Sequence, residues 1–157
     1  MNKNNYAVIM AGGIGSRFWP ISTQEQPKQF LDILNCGETL IQKTFGRLKK
    51  VCPVENIFVV TNHSYFDLCT HQLPDLLNKN ILCEPLMRNT APCIAYATFK
   101  IEQLNKEANI IIAASDHLIN EEEEFVRVVR DCLDVTRSHD ILLTLGITPS
   151  WPDTGYG

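Results

Sequence analysis

Apolar residues run along this chain in two alternating patterns, short unbroken blocks and stripes recurring every three or four positions. The blocks Tyr6-Ala-Val-Ile-Met10, Asn56-Ile-Phe-Val-Val-Thr61, Asn80-Ile-Leu-Cys83, Asn109-Ile-Ile-Ile-Ala-Ala114 and Ile141-Leu-Leu-Thr-Leu145 predict five strands. Unbroken apolar blocks point to burial on both faces, and the block at 109–114 reads as the most buried. A short extended piece is expected at 30–33. Thr39-x-x-Gln42 is a capping-box pattern, opening a helix with inward positions Ile41, Thr44/Phe45, Leu48 and Val51 that Pro53 closes. Ser64-x-x-Asp67 starts a second helix, ending near Pro74. Asn89 or Thr90 caps the third, with Pro92 in its first turn and a stripe of Ile94, Ala97, Ile101 and Leu104. Glutamates 121 to 124 crowd the positive end of the fourth, which buries Phe125, Val128/Val129, Cys132 and Val135/Thr136.

Strands alternating with helices in this way predict an α/β fold. The expected architecture is a doubly wound, mostly parallel (mixed), Rossmann-like sheet with helices on both faces. Ligands of such sheets bind beyond the carboxyl ends of the strands. The loop at Gly12, together with Glu84, Asp116 and Gly146, falls at such ends.

Composition narrows the classes. A chain of 157 residues with 45% hydrophobic and 20% charged content is that of one globular domain. No apolar block approaches the roughly 18 residues of a membrane span. The first residues pass straight into a strand without a secretory pattern, so a cytoplasmic location is expected. A net charge of −4 argues against a nucleic-acid surface. The six cysteines form no C-x-x-C pair, so they read as reduced core residues rather than metal ligands. His63, His71, His117 and His139 read as structural or solvated.

The chemistry concentrates in Ala11-Gly-Gly-Ile-Gly-Ser-Arg-Phe-Trp-Pro20. Gly12, Gly13 and Gly15 strip side chains from the turn leaving the first strand, so backbone N–H groups can converge on an anion. Arg17 adds a planar charged fork, and Lys28 a compact cation, both suited to phosphate oxygens. The spacing is not that of a P-loop, which needs Gly-Lys-Ser/Thr after its fourth intervening residue. Nor is it the dinucleotide fingerprint, which would need glycine at Phe18. A polyphosphate cradle remains, set against a turn that merely favours glycine.

The compound pattern Ala11-Gly-Gly-x-Gly-x-Arg17-x-Trp-Pro20-x-Ser22, then Gln26-Pro-Lys-Gln-Phe30, resembles the signature of sugar nucleotidyltransferases. Trp19, Ser22, Gln29 and Phe30 make it most similar to the mannose-1-phosphate guanylyltransferases. The resemblance implies attack by a sugar 1-phosphate oxygen on the α-phosphorus of GTP, giving GDP-mannose and pyrophosphate. It implies Arg17, Lys28 and Asp116 as catalytic residues, with Asp116 holding Mg2+ or another divalent cation. Glu84-Pro-Leu-Met-Arg-Asn-Thr-Ala-Pro92 resembles the base-recognition segment. A carboxylate at Glu84 can accept from guanine N1–H and N2–H2 together, with Arg88, Asn89 and Thr90 near base or ribose. Backbone at Ala11 and Gly12 would complete that pocket, and Gly146 would let sugar hydroxyls approach. Residues 1–157 would then form the N-terminal part of a longer catalytic domain, with the second metal-binding aspartate beyond Gly157. The expected partners are GTP and mannose 1-phosphate, with oligomeric state left open. Uridylyl or thymidylyl transfer, or a nucleotide-binding fragment without turnover, are the competing readings.

Overall fold

Residues Asn5–Met10 form the first strand, β1, with Ala7, Val8 and Ile9 completely buried. The computed structural model describes residues 1–13, 18–86, 88–148 and 151–152. Chain order continues with helix α1 (Leu40–Leu48), β2 (Ile57–Asn62), α2 (Phe66–Gln72) and β3 (Ile81–Glu84). Then come α3 (Thr90–Leu104), β4 (Asn109–Ala114) and α4 (Glu122–Ser138). The sheet runs β3-β2-β1-β4, and all three pairings are parallel.

Alternation along the strands divides the core in two. Ala7, Ile9, Ile57, Val59 and Ile81 face Ile41, Phe45 and Leu48 of α1, Cys69 of α2, and Val126, Val129 and Leu133 of α4. Tyr6, Val8, Phe58, Val60 and Leu82 face Cys93, Ala97 and Ile101 of α3. Helices therefore cover both faces, as the apolar blocks predicted. Each fully buried aliphatic side chain contributes roughly 1.5–3 kcal/mol through area removed from water.

Local signals account for several boundaries. Gln42 Oε1 accepts from the Thr39 N–H at 2.8 Å, the reach-back half of the capping box that starts α1. Before α2 the cap is Asn62 rather than Ser64: its side chain accepts from the Ser64 N–H at 2.8 Å and starts a 3-10 turn, His63–Tyr65. Both residue types cap well, and the one at the strand end engages first. Residues 30–33 form no strand. Instead a 3-10 turn, Lys28–Phe30, folds the segment back over the sheet.

Two expectations about the sheet fail. Residues 141–145 are not a fifth strand, and Leu142 is fully exposed. An apolar block becomes a strand only where a neighbour pairs with it, and the described sheet ends at β4. For the same reason β4 is half-buried along its length, and β1 and β2 are the most buried strands. All six cysteines are free, as expected, and burial pushes the Cys52 and Cys69 thiols up to about 12, but Cys36 is exposed rather than part of the core.

Candidate nucleotide and phosphate site

Parallel pairing brings the ends of all four strands to one edge. The ladder continues past them, with the Ala11 N–H donating to the Val60 carbonyl at 2.8 Å and the Ser115 N–H to the Met10 carbonyl at 3.2 Å. The glycine turn and the Ser115-Asp116 turn therefore leave adjacent strands side by side. At Gly13 an added Cβ would meet no atom of the described residues within 4 Å, so among them the turn keeps open space in front of it. Gly15 and Arg17 lie outside the described residues.

Lys28 is carried over this edge by the 3-10 turn, which is tied down at three points. Phe30 packs against Tyr65 with ring centroids 5.8 Å apart, and the Phe30 carbonyl accepts from Gln72 Nε2 at 3.0 Å. The Tyr65 hydroxyl donates to the Gln24 carbonyl at 3.0 Å. Lys28 Nζ forms an ion pair with the Asp116 carboxylate and lies 5.2 Å from the centroid of the Phe18 ring. Both charged side chains are about three-quarters buried. Two of the sequence-predicted residues, distant in the chain, thus meet at the carboxyl edge.

The backbone flanking Asp116 is gripped by α1. Thr44 Oγ1 donates to the Ser115 carbonyl at 3.3 Å, and Arg47 Nη2 donates to the His117 carbonyl at 3.0 Å and to Thr44 Oγ1 at 2.8 Å. Thr44 and Arg47 are both buried. Sequence reading placed Thr44 on the inward stripe but passed over Arg47. Its signal was an arginine one position before Leu48, on the flank of that stripe.

The base-recognition candidates occupy the other end of the edge. Glu84 closes β3, in register with Asn62, and burial pushes its carboxyl above the ordinary value. Arg88, Asn89 and Thr90 are exposed where the chain enters α3. Asn89 sits at the N-cap with φ of 68° and ψ of −170°, and its side chain makes no capping bond. That backbone region is nearly exclusive to glycine and costs roughly 1–3 kcal/mol for other residues. Asn89→Gly is therefore expected to stabilise the fold by about 1 kcal/mol, after the extra entropy glycine loses on folding. Urea denaturation measures it, and a loss of stability would refute the strain. Gly146 does not stand at a strand end, because 141–145 forms none. It is exposed, and a Cβ there would meet nothing within 4 Å.

Among the described residues, no group of three or more His, Cys, Asp and Glu side chains gathers to hold a metal, and no helix is long and apolar enough to cross a membrane. Two hollows lie away from this edge, along α4 and beside the N-terminus, lined by residues such as Lys50, Arg127, Arg130 and Arg137.

Mannose-1-phosphate guanylyltransferase of Escherichia coli (strain K12) is 40% identical over 156 residues, which are 97% of this chain and 32% of that protein. The Salmonella montevideo protein of the same name is 38% identical over 152 residues, 96% of this chain and 31% of its own length. The chain therefore spans about a third of the curated relatives it matches. The solved structure of mannose-1-phosphate geranyltransferase from Thermus thermophilus superposes with a TM-score of 0.74 at 28% identity, covering 84% of this chain and 38% of that one. Mannose-6-phosphate isomerase from Helicobacter pylori, at 20% identity and a TM-score of 0.65, shares the fold. The family model described as nucleotidyl transferase matches residues 6–157, nearly the whole chain, so the chain belongs to the nucleotidyl transferase family.

Proposed function

We propose that this chain is the nucleotide-holding part of a mannose-1-phosphate guanylyltransferase. In that reaction a phosphate oxygen of mannose 1-phosphate attacks the α-phosphorus of GTP. The new P–O bond forms as the bond to the β-phosphate oxygen breaks, releasing pyrophosphate and leaving GDP-mannose. The nucleophile is already ionised near neutral pH, so the protein's work is alignment and charge neutralisation.

The observation that carries the reading is the Lys28–Asp116 pair beside the open glycine turn. A cation for phosphate oxygens and a carboxylate for a divalent metal stand in contact at the strand ends. Magnesium binds through one or two carboxylates, with phosphates and water filling its octahedron, so the single Asp116 carboxylate fits one such contribution. A bound Mg2+ would supply charge neutralisation at the phosphates. Arg17 and Lys28 would hold the phosphates that leave, and the N–H groups at Gly12, Gly13 and Gly15 would face them. Glu84 would select guanine, with Ala11, Arg88, Asn89 and Thr90 around base and ribose and Gly146 near the sugar. A cytoplasmic setting accords with six free thiols.

The test is turnover by the full chain with GTP, UTP and dTTP offered beside mannose 1-phosphate, following pyrophosphate release. A strong preference for GTP is expected, and an equal or better rate with UTP or dTTP would replace the assignment. Glu84→Gln should cut the GTP-over-UTP preference about tenfold, since one of two parallel acceptors becomes a donor. Because burial raises its carboxyl above the ordinary 4.5, the wild-type preference should fade as pH falls through the weakly acid range. An unchanged preference in the variant would remove Glu84 from the base pocket.

A further inference from the structure

Gln29 is 2% exposed, and both hydrogen-bonding contacts of its amide nitrogen go to the glycine turn. Nε2 donates to the Ala11 carbonyl and to the Gly13 carbonyl, each at 2.9 Å. The Ala11 carbonyl takes a second bond from Thr61 Oγ1, also at 2.9 Å, and Thr61 is wholly buried on β2. One carbonyl thus has both lone pairs engaged, by donors from two separate elements. A trans peptide is planar, so its N–H points opposite to its C=O. With the Ala11 carbonyl drawn inward, the Gly12 N–H is turned away from the buried pair.

We infer that Gln29, assisted by Thr61, is a positioning residue that sets the polarity of the glycine turn. It draws the turn's carbonyls into the protein, so that the turn presents N–H groups to a nucleotide. The consequence follows from the chemistry of the ligand class. Glycine peptides rotate easily, and a single flip would aim a carbonyl dipole at an anionic phosphate or at a base acceptor. Packing at Gly13 does not hold the peptide, because an added Cβ there would meet no atom of the described residues within 4 Å. The restraint comes from outside the turn. A neutral amide suits the task, since it can donate twice from one atom without adding charge to the site. The adjacent Lys28 reaches outward to Asp116 while Gln29 reaches inward, so one short 3-10 turn serves both the cation and the backbone. The inference rests on the nucleotide reading above, and the test separates the two.

Gln29→Met keeps length and neutrality but deletes both donors. In the full chain it should raise KM for GTP tenfold or more, while KM for mannose 1-phosphate changes less than twofold. Thr61→Val, which removes only the second donor to Ala11, should raise KM for GTP two- to threefold. A role confined to stability would lower the melting temperature and leave this split absent, and equal KM values in wild type and both variants would overturn the inference. The second readout needs no activity. In 15N–1H spectra without nucleotide, the Gly12 amide should give one sharp peak in wild type and a shifted, broadened or doubled peak in Gln29→Met, as the peptide loses its single orientation. A wild type that binds no GTP would sink the guanylyltransferase reading, with the Gly12 amide still deciding the clamp. A Gly12 amide indifferent to both substitutions would sink the clamp, whatever the substrate.

Discussion

Asp116→Ala in the full chain should lower kcat by a hundredfold or more, with the fold retained. The side chain lies in a turn beyond β4, where its described partner is Lys28, so truncation removes no core packing. Under the nucleotidyl-transfer reading it removes the carboxylate that would help hold a divalent cation against the phosphates. A hundredfold loss corresponds to about 2.7 kcal/mol of transition-state stabilisation, within what a metal contributes to charge neutralisation. The variant has a second, opposite effect that an unrelated surface carboxylate would not produce. It releases Lys28 from its ion pair and leaves Nζ free for phosphate oxygens. Binding of GTP in the presence of a chelator should therefore tighten several-fold in Asp116→Ala relative to wild type. Calorimetry checks it. A variant with normal turnover, or with weaker chelator-insensitive binding, would show that the pair is an ordinary surface bridge.

The sheet was legible in the sequence wherever local pattern and tertiary burial coincide. The blocks at 6–10 and 109–114 became β1 and β4 nearly residue for residue, and α3 occupies 90–104 with Pro92 in its first turn, although it buries Cys93, Ala97 and Ile101 and leaves Leu104 of the expected stripe exposed. Thr39 and Gln42 announced the start of α1 because a capping box is complete within four residues. Of the candidate site residues, Lys28 and Asp116 meet, and Glu84 stands at its strand end. What escaped was non-local. The block at 141–145 has the composition of a strand, yet composition carries no record of a pairing partner. The apolarity of β4 suggested a central place, while the strand order puts it at the edge of the described sheet. The positive φ of Asn89 depends on how the chain turns into α3, and asparagine gives only a weak hint of it. Arg47 was missed because a charged residue beside an apolar stripe normally snorkels to solvent. Here it turns inward to the carbonyl of His117.

That inward turn makes the largest stability effect an indirect one: Glu122→Gln should destabilise the fold more than Arg47→Met. Arg47 is 3% exposed, and its Nη1 has no hydrogen-bond partner, only Glu122 Oε1 at 3.6 Å. Burial pulls the guanidinium below its ordinary pKa and Glu122 pushes it back, but an arginine stays ionised. Neutralising Glu122 leaves that buried cation without its anion, at a cost of about 3 kcal/mol. Deleting Arg47 instead leaves Glu122 beside Lys50 Nζ at 3.1 Å and partly in water, where it rehydrates cheaply. The loss is then mainly the hydrogen bonds to Thr44 and the His117 carbonyl, about 1–2 kcal/mol. The pH dependence separates this from a packing effect. Burial raises the Glu122 carboxyl, but the Lys50 hydrogen bond and the charges of Lys50, Arg47 and Lys43 outweigh it, leaving a net depression below 4.5. A carboxyl depressed in the folded state contributes stability above its unfolded pKa and loses it as pH falls through the folded value. Urea denaturation should therefore show the full gap between wild type and Glu122→Gln at pH 7, closing as pH falls through and below the ordinary carboxylate range. A gap that persists in acid would assign the cost to shape rather than charge. In either case the strain reaches the site, because Arg47 and Thr44 hold the two carbonyls on either side of Asp116.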